Sequence, residues 1–114
     1  DIGAYYFDQN QTEVGNTLVP HSRLMLYQNY PNPFNPNTTI QYSIPKDSKV
    51  ELKIYNIKGE LVKTIVNERK SIGYHKVIWE GKNNNNRAVC SGIYFYRLKV
   101  DDKVIDTKKC LLLK

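Results

Sequence analysis

The sequence has few cysteines, no long hydrophobic run and no sustained helical period. Its 114 residues include two Cys, one Met and one Trp. Two Cys allow at most one bridge, which excludes a scaffold built on disulfides. No apolar run approaches the roughly 20 residues that a membrane helix needs. The length suits one domain, so a large catalytic domain is also excluded.

Positive charge is concentrated in the last two-thirds of the chain. Residues 1–31 contain one cation and three anions, whereas residues 32–114 contain sixteen cations and eight anions. A basic region that contains five of the nine Tyr of the chain is compatible with a polyanionic partner. The aromatic run 93–98 nevertheless lacks the internal glycines of an RNA-binding strand, so nucleic acid is the disfavoured partner. We expect six cations at outward strand positions, where they keep a sheet soluble: Lys53, Lys63, Lys76, Arg97, Lys99 and Lys108.

From Thr38 onward, apolar and polar residues alternate with a period of two. This pattern is typical of half-buried strands, and turn residues separate the successive runs. The pattern places Leu61–Val66 in one strand and the residues from Asn67 to Gly73 in a connection. It predicts an all-β antiparallel sandwich of six or seven short strands.

The turn Asp101-Asp102 predicts the relative positions of the two cysteines. A two-residue hairpin places Cys110 opposite Ile93, three positions from Cys90, and a shift of one residue leaves four positions. Either separation exceeds disulfide reach. We therefore expect two free thiols that behave as small core hydrophobes.

Residues able to support catalysis or bind metal are sparse. A nucleophile would have to be Cys90 or a serine, with His75 or His21 as base, and no nucleophile-elbow motif is present. The densest acidic group contains Asp101, Asp102 and Asp106, and a hairpin turn explains the first two. We expect a protein that is not an enzyme and that uses no cofactor and no metal.

Two further segments stand out. Tyr30-Pro31-Asn32-Pro33-Phe34-Asn35-Pro36-Asn37 predicts a stiff, extended segment in which Tyr30 and Phe34 are packing anchors. The run Lys108–Lys114 contains three consecutive Leu, which break the alternation. These leucines either fill the end of the sandwich or present apolar surface to a partner.

Several motifs occur in order along the chain: Tyr30–Pro36 with Thr39–Pro45, Val50–Asn56 with Gly59, Trp79-Glu80-Gly81, Ser91–Leu98 and Thr107–Lys114. Together they resemble the type A C-terminal sorting domain of the type IX secretion system, also called the Por secretion system tail. The closing strands also resemble the Ig-like domain of the flagellar hook-capping protein. The sequence departs from the family in Glu80, where Asp is usual, in Asn83–Asn86, and in Cys90 and Cys110.

The resemblance implies an Ig-like sandwich of about seven strands that directs a cargo through the periplasm to the cell surface or medium. The implied partners are the secretion translocon and a sortase-like protease, with possible attachment of the cargo to surface lipopolysaccharide. On this basis we assign recognition by the machinery to Gly92, Tyr94, Arg97, Lys108, Lys109, Leu111, Leu112, Leu113 and Lys114. We assign structural anchoring to Tyr30, Pro31, Pro33, Phe34, Trp79 and Gly81.

A second resemblance concerns the first residues. Asp1-Ile2-Gly3-Ala4-Tyr5 is similar to the ending of some secreted parallel β-helix proteins. We therefore expect residues 1–10 to be the end of an upstream cargo domain, residues 11–25 to be a linker and residues 26–114 to be the sorting domain. Two alternatives stay open: a surface adhesion or carbohydrate-binding module, and a structural subunit that assembles by β-strand addition.

Overall fold

The computed structural model describes residues 23–114 as an all-β sandwich. The described part contains seven strands and no helix. The strands are β1 Met25–Leu26, β2 Thr38–Ile44, β3 Ser48–Tyr55, β4 Leu61–Lys70, β5 Gly73–Trp79, β6 Gly92–Val100 and β7 Lys103–Leu112. A three-stranded sheet has the order β1-β2-β5, and a four-stranded sheet has the order β4-β3-β6-β7. Every strand pair is antiparallel, which confirms the predicted fold class.

The expected cargo end over residues 1–10 and most of the expected linker lie outside the described residues. Met25, at the end of that expected linker, pairs with Ser43 at the edge of the three-stranded sheet. The expected division of the chain into cargo end, linker and sorting domain stays a prediction.

The period-two pattern accounts for the core. Alternate side chains of β3 and β6 are buried, and those between them face outward. The core is continuous from one sheet to the other. Its largest fully buried side chains are Trp79, Tyr42, Tyr96, Phe34, Ile40, Ile44, Leu52, Ile54, Leu98 and Leu112.

One predicted boundary is wrong, because β4 continues to Lys70 instead of ending at Val66. Its last four residues are polar and carry no apolar alternation. They are in strand because they pair with the first half of β3, from Ser48↔Lys70 to Glu51↔Asn67. Backbone pairing with a neighbouring strand thus overrides the local pattern, as is common for strands.

The hairpin between β6 and β7 has the predicted two-residue turn. Asp101 and Asp102 have φ values of 50° and 67°, as a type I′ turn requires. A β-bulge then shifts the register between Leu98 and Lys99, so that Leu98 pairs with Asp106. Cys110 consequently faces Tyr94, four positions from Cys90.

Both cysteines are free thiols, as predicted. Only Cys110 lies in the core, where burial raises its thiol pKa to about 12. The expectation of a second core thiol is wrong, because Cys90 precedes β6 in an exposed loop.

The bulge also corrects the expected orientation of Lys108. Because the register shifts by one residue, Lys108 pairs with the buried Tyr96 instead of the outward Phe95. Its ammonium lies 3.6 Å from the carboxylate of Asp106 at the edge of the sheet. Lys63, opposite the buried Ile54, is likewise not at an outward register position.

The four sheet edges differ in how they are protected. β1 is only two residues long, and β7 contains a bulge. β4 has two register shifts, and Asn84 caps it by donating to the carbonyl of Val62 and accepting from the amide of Thr64. β5 is seven residues long and pairs with β2 without a register shift. Among the described strands, β5 is thus the edge that a strand-addition partner would use.

Two buried tyrosines serve the sandwich differently. The hydroxyl of Tyr96 accepts from the amide of Asn29 at 2.7 Å and donates to the carbonyl of Tyr27 at 2.8 Å. It therefore ties the segment after β1 to the other sheet. The hydroxyl of Tyr42 finds no hydrogen-bond partner among residues 23–114. Desolvation raises the pKa of Tyr42 to about 12, and the nearby Glu68 carboxylate adds to the increase.

We expect removal of the two hydroxyls to affect the free energy of unfolding differently. Tyr42→Phe deletes an unpaired buried donor and should leave the free energy of unfolding unchanged or raise it by up to about 1 kcal/mol. Tyr96→Phe leaves the amide of Asn29 unpaired and should lower it by about 1–3 kcal/mol. Urea unfolding followed by tryptophan fluorescence measures both values. Equal losses in the two variants would contradict this assignment of the hydroxyls.

Candidate functional site

The proline-rich segment pairs with the end of β7 through its backbone. The amide of Phe34 donates to the carbonyl of Leu111, and the amide of Leu113 donates to the carbonyl of Phe34, both at 3.0 Å. These two bonds form a parallel bridge that flanks Leu112. The amide of Leu111 also donates to Oδ1 of Asn32 at 3.0 Å. We call this arrangement of Asn32, Phe34 and residues 111–113 the clasp.

An apolar cluster lies beneath the clasp. Leu112 is fully buried, and Phe34 and Trp79 are 2% and 1% exposed. The ring centroids of Phe34 and Trp79 are 5.5 Å apart, and the ring of Tyr94 meets Trp79 edge-on at 5.3 Å. Trp79 Nε1 donates to the carbonyl of Lys82 at 2.9 Å, so its polar atom is also satisfied. Such aromatic pairs add about 0.5–1.5 kcal/mol each beyond the area they bury.

Gly81 leaves the space that Leu112 and Pro36 occupy. Its φ of +69° is in the left-handed region that favours glycine. A Cβ at this position would lie 3.2 Å from the carbonyl oxygen of Pro36 and 3.5 Å from Cδ2 of Leu112. The glycine of the Trp79-Glu80-Gly81 motif is thus needed for the clasp to close.

A buried polar network fixes the start of the proline-rich segment. Asn29 is 2% exposed, and its Nδ2 donates to Oγ1 of Thr38 at 2.9 Å and to the carbonyl of Pro31 at 3.2 Å. The hydroxyl of Thr38 donates to that same carbonyl at 2.9 Å. The segment bends at residues 31–33 and again at 35–36, so it is not extended as expected. The peptide bonds before Pro31, Pro33 and Pro36 are cis.

The predicted anchors divide into buried and exposed residues. Phe34, Trp79 and Gly81 lie in or under the clasp. Pro31 and Pro33 are exposed. The ring of Tyr30 is 80% exposed and does not pack as expected, because the segment is held there by its backbone. The amides of Tyr30 and Thr39 donate to each other's carbonyls at 3.0 and 2.9 Å.

The predicted recognition residues fall on both sides of the clasp. Leu112 and Tyr94 face the core, whereas Lys109, Leu113 and Lys114 are exposed. The leucine run thus contains a half-buried, a buried and an exposed side chain in succession. Gly92, with a φ of +151°, pairs with Leu112, and Leu111 next to it is half-buried.

Arg97 lies apart from this group. It pairs with Thr107 in the middle of the four-stranded sheet, six residues from Ser91 and hence about 20 Å along the strand. Lys108 lies at the sheet edge beside Asp106, as described above.

Sequence reasoning missed three side chains that hold the last strand in place. Besides Asn32, they are Gln28, whose Nε2 donates to the carbonyl of Lys109 at 2.8 Å, and Ser91, whose Oγ accepts from the amide of Lys114 at 3.1 Å. Short polar side chains near prolines and glycines commonly bond to backbone groups. That tendency identifies them as candidates, but their partners lie 79, 81 and 23 positions away in the chain.

The groups considered for catalysis have structural contacts. His75 stacks on Tyr42 with centroids 5.2 Å apart, and its Nε2 lies 2.7 Å from the carbonyl oxygen of Ser71. Within residues 23–114, no three side chains among His, Cys, Asp and Glu come together as metal ligands would. His21 lies outside the described residues.

A match to a family model identifies the family to which this chain belongs. The model of the FlgD Ig-like domain matches residues 35–103, which is more than half of the chain. The chain belongs to the FlgD Ig-like domain family. The match begins one residue after Phe34 and ends before Val104. The two segments that form the clasp therefore lie just outside the matched region, one on each side of it.

Solved structures share the same fold. Dimeric latent PorU from Porphyromonas gingivalis is 20% identical with a TM-score of 0.68, over 77% of this chain and 9% of PorU. PorZ, a surface component of the type IX secretion system of the same bacterium, is 20% identical with a TM-score of 0.54, over 78% of this chain and 11% of PorZ. FlgD from P. aeruginosa is 20% identical with a TM-score of 0.51, over 68% of this chain and 65% of that one.

These likenesses support both resemblances drawn from the sequence motifs, to the flagellar Ig-like domain and to the type IX sorting domain. At 20% identity they establish the fold and not a shared activity. The chain also spans only about a tenth of PorU and PorZ. The search among curated proteins found no match.

Two neighbouring leucines test the clasp, because they lie on opposite sides of it. Leu112→Ala empties a fully buried site and should lower the free energy of unfolding by about 2–5 kcal/mol. Leu113→Ala removes a side chain that is 49% exposed and should change it by no more than about 0.5 kcal/mol. Urea unfolding measures the difference. A loss at Leu113 as large as that at Leu112 would place both side chains in the core, contrary to the structure.

Proposed function

We propose that the sandwich is a sorting domain that directs an attached cargo through the type IX secretion system to the cell surface or medium. The observation that carries this proposal is the clasp. The motifs that resemble the sorting domain are far apart in the sequence, yet four of them meet there. Tyr30–Pro36 and Thr107–Lys114 form its two strands, Trp79-Glu80-Gly81 lies beneath it, and Ser91–Leu98 pairs with the last strand.

The clasp presents a small set of residues to a partner. Leu112 is held in the core, so its neighbours Leu113 and Lys114 emerge from the sandwich at a fixed point. Lys109 lies on the outer face of the same strand. An exposed leucine flanked by lysines offers an apolar contact with a positive rim, which suits an apolar pocket with acidic edges on the translocon.

The remaining partners follow from the sorting role. A sortase-like protease would cut before the sandwich, within residues 8–23, and the released cargo would be attached to surface lipopolysaccharide. The domain itself would act as a sorting signal and not as an enzyme. The stacking of His75 on Tyr42 and its contact with the carbonyl of Ser71 support a structural role for this candidate base.

An export assay with two matched leucines tests the proposal. Residues 24–114 are fused to a periplasmic reporter in a host that has the type IX system. Leu113→Ser should reduce the exported fraction by at least about fivefold, because it removes the presented apolar contact and leaves the core intact. Leu61→Ser is the control, because Leu61 is 48% exposed on β4, away from the clasp, and should be exported like the parent.

Point variants can separate lost recognition from misfolding, whereas a truncation cannot. Deleting residues 108–114 would also remove the buried Leu112, so a loss of export would not separate misfolding from lost recognition. Circular dichroism confirms that both serine variants fold. Normal export of a folded Leu113→Ser variant would contradict the proposed role of the presented residues.

A further inference from the structure

The outer face of the four-stranded sheet is strongly cationic, and its charges are not balanced within the described fold. The outward strand positions include a single carboxylate, that of Glu51. Its ion pair is with Lys53, with Nζ 3.2 Å from Oε1, and the hydrogen bond to Lys53 is the main reason why the pKa of Glu51 is lowered. The outward cations are Lys49, Lys53, Arg69, Arg97, Lys99 and Lys109.

Two of these cations are placed where they repel each other. Lys53 and Arg97 are direct cross-strand partners, and Lys99 follows Arg97 on the same face of β6. Like charges directly opposite each other destabilise a sheet. Within residues 23–114, Arg97 forms no ion pair. Local arrangements that cost stability, such as a cation with no anionic partner opposite another cation, are typical of functional sites.

Arg97 is also held in one orientation. Its guanidinium carbon lies 4.6 Å from the ring centroid of Tyr55, and its Nη2 donates to the Tyr55 hydroxyl. The other N–H groups of the planar guanidinium have no hydrogen-bond partner that the structure records in the described part of the chain. A planar fork of donors held in place suits two-point binding of a carboxylate.

A hollow of about 220 Å³ lies beside this guanidinium. Its lining combines the apolar Phe95 and Ile57 with the hydroxyl of Thr107 and the polar Asn56. Mixed apolar and hydrogen-bonding walls suit a sugar ring, which has both kinds of surface. The neighbouring cations lie about 5–7 Å apart across and along the strands, so they can meet successive charges of a polymer.

We propose that this face binds an acidic polysaccharide, with Arg97 holding one carboxylate and Lys53 and Lys99 meeting the next carboxylates along the polymer. Single-stranded nucleic acid fits less well, because it needs exposed aromatic faces for base stacking. Of the two aromatic rings at outward positions, that of Tyr55 is covered by Arg97 and that of Phe95 is half-buried in the wall of the hollow. The site is separate from the clasp and does not depend on the sorting role.

Calorimetric titration of the full chain with a galacturonate decamer tests the proposal, with neutral dextran and a thymidine decamer as comparison probes. We expect binding to the galacturonate decamer, weaker binding to DNA and none to dextran. Arg97→Gln should weaken galacturonate binding by about tenfold or more, because it removes a charge-assisted two-point contact. Arg97→Lys keeps the charge but not the planar fork, and should give an intermediate loss.

Lys76→Gln is the matched control. It also removes one positive charge, but from β5 in the opposite sheet, and should change the affinity by less than about twofold. Thermal unfolding confirms that the variants are folded. Equal losses in Arg97→Gln and Lys76→Gln would show diffuse attraction and overturn the site. Tighter binding to the thymidine decamer, or no binding to galacturonate, would overturn the ligand class.

Discussion

The arrangement on which the rest of the structure depends is the pair of backbone hydrogen bonds that Phe34 makes with Leu111 and Leu113. They hold Leu112 in the core next to Gly81, where the ring of Phe34 packs on Trp79, and this packing closes one end of the sandwich. Because consecutive strand residues point to opposite faces, burying Leu112 forces Leu113 outward. The same two bonds therefore close the core and set the position of the exposed residues. Deleting the whole last segment would therefore remove both a stabilising core contact and the exposed residues, so a deletion cannot separate the two effects.

Much of the sandwich could be predicted from the sequence, because its strands follow a period of two and its turns contain the residues that turns require. The Asp101-Asp102 hairpin illustrates both the success and its limit. The turn was predictable from residue type, but the bulge between Leu98 and Lys99 was not, because no residue pattern marks a single extra residue in an edge strand. That one residue turned Lys108 from the outer face to the sheet edge and placed Cys110 opposite Tyr94.

The clasp was visible in the sequence only as separate motifs. The resemblance grouped Tyr30–Pro36 with the last strand, and the burial of Phe34 and Trp79 agrees with the packing expected of them. The exposed ring of Tyr30 does not, because backbone pairing with Thr39 holds that position without its side chain. Asn32, Gln28 and Ser91 could not be assigned from sequence, since each bonds to a backbone group that only the fold brings near.

The domain thus has two chemically different surfaces on the same sheet. One is the clasp with Leu113 and its lysines, and the other is the cationic face around Arg97. The central claim is that the last strand is an integral part of the fold and not a loose tail. Native-state amide exchange of Phe34 and Leu113 tests it most directly. We expect both amides to be protected to within about tenfold of Leu98 in the centre of β6. Exchange at the rate of an unstructured chain at Leu113 would contradict the account.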